Sequence, residues 1–234
     1  MSNLKNLYEA HWQHCLFPSE QESKENTINE IFESIVPIFH NGKRCLDVGC
    51  GDGQIVKIVR DKFSEIHGCD ISIIALNEAK KAGMLTVCSD LNDGYIPYKD
   101  NLFDYISALE VLEHVWDPFK LIKEIRRILK PGGRLILTTP NIRYFRNIHT
   151  LIFRGSFPHT STDSFVWGGG HVHYFTRKDL IFLFSHAGFE NLKFYINEKQ
   201  FARSWKRRFI RRIIGTNMFG EHFCGSIALE AVKR

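Results

Sequence analysis

No stretch of this chain is long and apolar enough to span a bilayer. Its first six residues, Met-Ser-Asn-Leu-Lys-Asn, contain no apolar run, so no secretory leader is expected. The six cysteines (Cys15, Cys45, Cys50, Cys69, Cys88, Cys224) form no C-x-x-C pair. Several fall inside apolar runs, which predicts reduced, mostly buried thiols in a cytoplasmic protein. A G-K-[ST] phosphate loop is missing, as is the G-x-G-x-x-G spacing of a dinucleotide turn. Internal repeats and low-complexity segments are also missing. Neither charge sign dominates: 31 Lys and Arg stand against 26 Asp and Glu, a formal net charge of +5.

What remains is an ordinary globular composition, 44% hydrophobic and 24% charged over 234 residues, enough for one large domain. Its organising stretch is Leu46-Asp47-Val48-Gly49-Cys50-Gly51-Asp52-Gly53. An apolar run ends in an acid, three glycines alternate, and helical spacing follows at Ile55, Val56, Ile58 and Val59. This predicts a buried strand, a tight turn and a helix start. Glycine there permits positive φ and close approach of a ligand to the backbone. The helix start offers N–H groups to an anionic ligand group. Asp47 and Asp52, however, would repel a pyrophosphate and attract a ligand that carries cations. S-adenosylmethionine (SAM) has a sulfonium, an ammonium and one carboxylate. The loop amides can take the carboxylate and Asp47 the ammonium.

From Lys43 onward strands and helices alternate. Strands are predicted at 44–48, 66–70, 84–88, 102–109 and 134–138. Helices are predicted from Gln54 to Phe63, from a Ser72 cap to Lys81, and from an Asp117-Pro118 start to Leu129. Lys130-Pro131-Gly132-Gly133 stops the last of these. Such alternation implies right-handed βαβ units in a mostly parallel sheet with helices on both faces. A Thr176-capped helix to Ala187, a strand over 192–196 and a last strand over 226–232 complete a seven-stranded α/β sheet. Its final two strands are expected to pair antiparallel. Residues 1–40 read as one or two helices. The aromatic piece around Tyr8, His11 and Trp12 either folds over the site as a lid or packs on the sheet. Residues 140–175 read as a long aperiodic connection, rich in aromatics, with Gly168-Gly169-Gly170 as a hinge. One domain, 1–234, fits best.

Two further acids belong with the glycine turn. Asp70 ends the second strand, where a carboxylate accepts hydrogen bonds from both ribose hydroxyls; a helix N-cap before Ser72 is its other reading. Asp90 follows the third strand, where it can accept from the adenine amino group while Ile71 and Leu91 pack on the ring. An ordinary turn acid is the alternative.

The D-x-G-x-G-x-G stretch over 47–53 resembles motif I of the class I SAM-dependent methyltransferases. Glu110-Val111-Leu112-Glu113-His114-Val115 and the Pro131-Gly132-Gly133 turn extend the resemblance to the small-molecule type, including the quinone-biosynthesis enzymes. It covers about Lys43 to Pro140 and implies a Rossmann-like fold. The implied cofactor-binding set is Asp47, Gly49, Gly51, Gly53, Asp70, Ile71, Asp90, Leu91, Glu110 and Val111, with Glu110 and Val111 beside the methionine moiety. Glu113 and His114 are implied near the transfer site. His114 equally suits a structural loop histidine.

Beyond Pro140 the likeness is looser. Thr139-Pro140-Asn141, Arg143-Tyr144 and His171-Val172-His173-Tyr174-Phe175 are similar to acceptor-side segments of methyltransferases for glycans, lipids or quinone precursors. His114, His171 and His173 are the candidate catalytic residues. A base among them would deprotonate a hydroxyl acceptor; a structural hydrogen bond is their common alternative. Spacing fixes no third ligand beside His171 and His173, so no metal is expected. Nucleic-acid amino-methyltransferases resemble one another in a [DNS]-P-P-[YFW] turn, where this chain has Ala108-Leu109-Glu110-Val111. Pro-Cys, required by cytosine C5 enzymes, does not occur. Glu110 and Glu113 are too close in sequence for the arginine-methyltransferase pattern.

Residues 203–212 form a basic amphipathic stretch, with Arg203, Lys206, Arg207, Arg208, Arg211 and Arg212 among Trp205, Phe209 and Ile210. Such a helix suits an anionic membrane or anionic substrate. It equally suits an apolar face packed on the domain with solvated charges. The expected activity is methyl transfer from SAM, giving S-adenosylhomocysteine, to a small-molecule, sugar or lipid-linked acceptor at oxygen. The alternative is a non-catalytic SAM-binding module that contacts RNA or membrane through 203–212; nucleic acid is the less favoured partner. An NAD enzyme is disfavoured by the glycine spacing.

Overall fold

A computed structural model of the protein describes residues 2–15, 35–158, 160, 170–195 and 220–234. Helix α1 (Ser2–Cys15) comes first. The alternating region follows as β1 (Gly42–Val48), α2 (Val56–Val59), β2 (Phe63–Asp70), α3 (Ile73–Lys81), β3 (Leu85–Cys88), β4 (Phe103–Leu109), α4 (Pro118–Ile128) and β5 (Leu129–Pro140). Then come α5 (Phe145–Phe153), α6 (Arg177–His186), β6 (Phe189–Tyr195) and β7 (Ser226–Lys233). The seven strands form one sheet in the order β3-β2-β1-β4-β5-β7-β6. All pairs through β5 are parallel, and β7 runs antiparallel to both β5 and β6. The expected Rossmann-like sheet with its antiparallel final pair is therefore present.

Alternate residues of the central strands feed two separate cores. Leu46, Val48, Ile106, Ala108, Leu135 and Leu137 face the helices α4 and α6. Cys45, Tyr105 and Ile136 face the opposite side, where α2, α3 and Ile35, Ile38 and Phe39 pack. Both faces of the central strands are covered, so residues 45–48 of β1 and 105–108 of β4 are buried in succession rather than alternately. The helix starts are capped as their sequences require. The Ser72 hydroxyl accepts from the Ala75 amide at 3.3 Å, and the Asp117 carboxylate accepts from the Lys120 amide at 2.9 Å. Thr176 and Asp179 form a reciprocal capping box. Among the described residues no helix is long and apolar enough to cross a membrane.

Three local expectations are corrected. The helix predicted from Gln54 to Phe63 spans only Val56–Val59, and Phe63 is drawn into β2 beside β1. The Pro131-Gly132-Gly133 turn interrupts no strand. β5 begins at Leu129 opposite Phe103, and the next partner of β4 is Arg134 opposite Tyr105, so the turn is accommodated as a register shift. The connection 140–175 is not wholly aperiodic, since α5 lies within it. Predicted boundaries elsewhere shift by one to three residues.

Candidate functional site

β1, β2, β3 and β4 end on one edge of the sheet, and a cavity of about 200 Å3 opens there. Gly49, Gly51, Asp70, Ile71, Asp90, Leu91, Glu110, Val111 and His114 all line it. Asp47 and Gly53 are the two members of the expected cofactor set that do not.

The glycines of the turn have separate jobs. All three sit at positive φ: 69°, 51° and 82° for Gly49, Gly51 and Gly53. A β-carbon at Gly49 would stand 2.5 Å from a methyl of Val111, and one at Gly51 would stand 2.8 Å from the Trp12 ring. A β-carbon at Gly53 would meet the Ala79 backbone and the Met84 sulfur, both at 2.9 Å. Gly53 therefore sets helix–strand packing, while Gly49 and Gly51 let side chains close over the cavity. The loop amides are largely committed within the protein. Gly49 and Cys50 donate to the Cys69 carbonyl (2.8 and 3.0 Å), Gly53 to the Cys50 carbonyl (2.9 Å), and Gly51 to the Asp70 carboxylate (3.0 Å).

Asp70 thus ties the turn to β2, and its second oxygen accepts from the Ser72 amide at 2.9 Å. The helix cap is Ser72 itself, so the N-cap reading of Asp70 does not hold. Burial raises the Asp70 carboxyl above its ordinary range against the pull of these amides. Asp47 is 5% exposed and accepts from the Ser107 hydroxyl at 2.6 Å. Burial, reinforced by the charge of Asp70, pushes it up to about 7. Asp90 accepts from both the backbone and side-chain N–H of Asn92 (2.9 and 3.1 Å), an Asx turn at the cavity wall.

After β4 the backbone is strained. Glu110 has a φ of 54°, and its amide is held by both the carbonyl (3.0 Å) and hydroxyl (3.1 Å) of Thr138. Burial pushes the Glu110 carboxyl up to about 7. Glu113, 1% exposed, is raised well above its ordinary range by burial first and then by the Glu110 charge. The Thr139 hydroxyl donates to one Glu113 oxygen at 3.0 Å. Oε1 of each glutamate is buried without a hydrogen-bond partner. Buried acceptors of this kind call for a donor from a ligand.

The acceptor-side histidines meet this turn. The Val172 and His173 amides both donate to the Glu113 carbonyl, at 2.8 and 3.1 Å. The His171 ring packs edge-on against His114 with centroids 4.6 Å apart, and its Nδ1 lies 2.6 Å from the Thr160 hydroxyl. Burial, then the neighbouring His114, lowers His171 to about 4 and keeps it neutral. His114 Nδ1 lies 3.2 Å from the Gly170 carbonyl, and His173 Nε2 lies 3.3 Å from that of Trp116. Glu113, His114 and His171 each bring one potential ligand atom, all within 4.8 Å of one another. That constellation was not legible from sequence, because Glu113 and His171 are distant in the chain.

Helix α1 covers the cavity. Tyr8, His11 and Trp12 line it, and Glu9 fastens the helix by accepting from the Ser72 hydroxyl (2.9 Å) and the Ile73 amide (2.8 Å). The Tyr8 hydroxyl is pushed up to about 12 by burial, then by Asp70, Asp90 and Glu113. Ser89, Asn92 and Val115 also line the cavity and were not singled out from the sequence. Phe165, Trp167 and the basic stretch 203–212 lie outside the described residues.

Comparison with known proteins identifies the family and the fold. A methyltransferase-domain family matches over residues 20–193. Ubiquinone biosynthesis O-methyltransferase of Coxiella burnetii (strain RSA 493 / Nine Mile phase I) is 34% identical over 115 residues, covering 47% of this chain and 49% of the relative. The Vibrio cholerae protein of the same name is 28% identical over 131 residues, covering 54% and 51%. The chain thus spans about half the length of the curated relatives it matches. Among solved structures, a SAM-dependent methyltransferase from Archaeoglobus fulgidus superposes with a TM-score of 0.63 at 19% identity, covering 89% of this chain and 94% of that one. Phosphoethanolamine N-methyltransferase 2 of Haemonchus contortus, solved with S-adenosyl-L-methionine, gives 0.58 at 18%, covering 89% and 52%.

Proposed function

Because the chain belongs to the class I SAM-dependent methyltransferase family, we propose that it moves the SAM methyl group to an oxygen of a small-molecule, sugar or lipid-linked acceptor. The observation that carries this reading is the meeting of Asp70, Asp90 and His114 on one cavity at the strand ends. In this reading Asp70 accepts from the ribose hydroxyls and Asp90 from the adenine amino group, with Ile71 and Leu91 against the ring. Glu110 and Val111 flank the methionine end. Asp47 acts from behind the turn, as a buried negative charge toward the ammonium, rather than by contact.

The reaction is an in-line displacement. The acceptor oxygen forms a bond to the methyl carbon, the carbon–sulfur bond breaks, and its electron pair stays on sulfur as S-adenosylhomocysteine. The acceptor proton passes to a histidine. His171 is the base in this reading, because its ring packs against His114 of the cavity wall and Thr160 orients it. The sulfonium already activates the methyl, so alignment supplies much of the rate. Helix α1 acts as a lid, and residues 140–175 form the acceptor cap. Cys45, Cys50, Cys69, Cys88 and Cys224 are free thiols, which suits a cytoplasmic setting.

A second reading of the same histidines rests on the cluster of Glu113, His114 and His171. A divalent cation shared by them would acidify the acceptor hydroxyl in place of a base. Metal analysis of the purified protein, with turnover measured before and after chelation, separates the two.

The test of the main reading is incubation with labelled SAM and metabolite or lipid extracts, followed by identification of the labelled product. Titration calorimetry with SAM and with NAD runs beside it. Absence of SAM binding overturns the whole reading. Binding without any labelled product leaves the non-catalytic alternative.

A further inference from the structure

We propose that α5 and the residues that follow it, from Phe145 to Phe157, form an interfacial anchor that seats the protein on anionic phospholipid membrane. The segment is remote in sequence from the basic stretch 203–212, and the proposal does not depend on methyl transfer.

Two observations converge on it. The first is apolar exposure. All seven residues from Leu151 to Phe157 are exposed. Leu151, Ile152, Phe153 and Phe157 show 52%, 64%, 75% and 52% of their surface. None of the nine residues of α5 is buried. Single exposed apolar side chains are ordinary, but four within seven residues form a patch that marks an interaction site. The second is charge. Arg146 and Arg154 bracket the patch, and no Asp or Glu occurs between Glu124 and Asp163. An amphipathic, acid-free, arginine-flanked helix is what an anionic bilayer surface binds: apolar side chains enter the headgroup boundary and the cations meet lipid phosphates.

The charge pattern selects this occupant. A second copy would bring Arg146 and Arg154 against their own kind. A generic apolar partner would leave the arginines without a complement.

The segment is also fixed in place. The Asn147 side-chain amide donates to the Asn141 carbonyl at 2.9 Å, and the Tyr144 amide donates to the same carbonyl at 3.1 Å. The Asn141 side chain in turn donates to the Cys224 carbonyl at 3.0 Å. Asn141 directly follows β5, so α5 springs from the sheet edge on which the cavity opens. Membrane seated on α5 would lie beside the acceptor side of the site.

The test is vesicle flotation of the full chain. Vesicles of phosphatidylcholine alone are compared with vesicles that also carry phosphatidylglycerol. Three proteins are used: wild type, Ile152→Ser/Phe153→Ser, and Arg146→Gln/Arg154→Gln. Residues 203–212 are intact in all three. The expected result is wild-type binding to the anionic vesicles at least tenfold above the neutral ones, with at least a tenfold loss in each double variant. Unchanged melting temperature and SAM affinity show that the variants are folded. Wild type that fails to float overturns the proposal, as does equal flotation of the variants. A change of oligomeric state in the serine variant, with no vesicle binding by wild type, would assign the patch to self-association instead.

Discussion

The indole of Trp12 closes over Gly51: a β-carbon at Gly51 would stand 2.8 Å from the ring atom Cζ2 of Trp12. Residues distant in sequence are thus fitted to each other across the cavity at the strand ends. Gly51→Ala must displace the ring and also hold an alanine at a φ of 51°, which costs about 1–2 kcal/mol. SAM affinity is expected to fall at least tenfold by calorimetry. Trp12→Ala should weaken SAM less, because it leaves the turn unstrained.

Gly53→Ala behaves differently. Its β-carbon would strike the Ala79 backbone rather than anything in the cavity. We expect a loss of about 2 kcal/mol or more in stability, read as a lower melting temperature. SAM affinity of the folded fraction should remain near wild type. A normal melting temperature with lost SAM binding would return Gly53 to the cofactor site.

Asp70→Ala removes the proposed ribose acceptor and the bond that holds the Gly51 amide. Hydrogen bonds to charged groups contribute about 1.5–3 kcal/mol, so SAM should bind roughly ten- to a hundredfold more weakly. A surface control, Asp61→Ala, should bind as wild type does. Equal affinity in the two variants would remove Asp70 from that role.

Stability should depend on pH through Asp47. Its folded value of about 7 lies above the ordinary 3.8, so between these limits the folded state holds a proton that the unfolded state has lost. Stability of the ligand-free protein therefore falls as pH rises through this window, by at most about 4 kcal/mol from this residue. Asp47→Asn should flatten that fall in thermal melts from pH 4 to 8. SAM brings an ammonium that favours the ionised carboxylate, so its stabilising shift should be larger at pH 8 than at pH 5. A wild-type-like slope in the asparagine variant would refute the assignment.

His171→Ala should lower kcat by about 10²- to 10⁴-fold if the ring takes the acceptor proton. SAM affinity should change little, since His171 is not among the residues that line the cavity. Thr160→Val should give a smaller loss of kcat with KM for the acceptor nearly unchanged.

The cavity at the strand ends was legible in the sequence because its signals are local. The glycine turn, Asp70 and Asp90 each follow their own strand, and parallel pairing carries all three to one edge. Asp47 shows the limit of such reading. Its place in the motif is plain, but only the sheet reveals that Ser107 of β4 covers its carboxylate. α2 was overextended because Phe63 continues a helical apolar spacing yet gains more from pairing beside Gly42 of β1. α5 was missed because it is short, nine residues without a side-chain cap at its start, inside a long aromatic-rich connection. The union of Glu113, His114 and His171 depends on a backbone contact between two remote segments, which no spacing rule anticipates.

That contact has a consequence for how such proteins diversify. The segment after α5 returns to the sheet through two backbone ties, the Glu113 carbonyl shared by the Val172 and His173 amides and the bridge between Asn141 and Phe175, beside side-chain ties at His114, His171 and His173. The two backbone ties are indifferent to the side chains on either partner. A different sequence of similar length could be grafted between Asn141 and Phe175 and still clip onto the same two anchors. The donor-binding machinery would then be inherited unchanged while the accepting molecule is renegotiated.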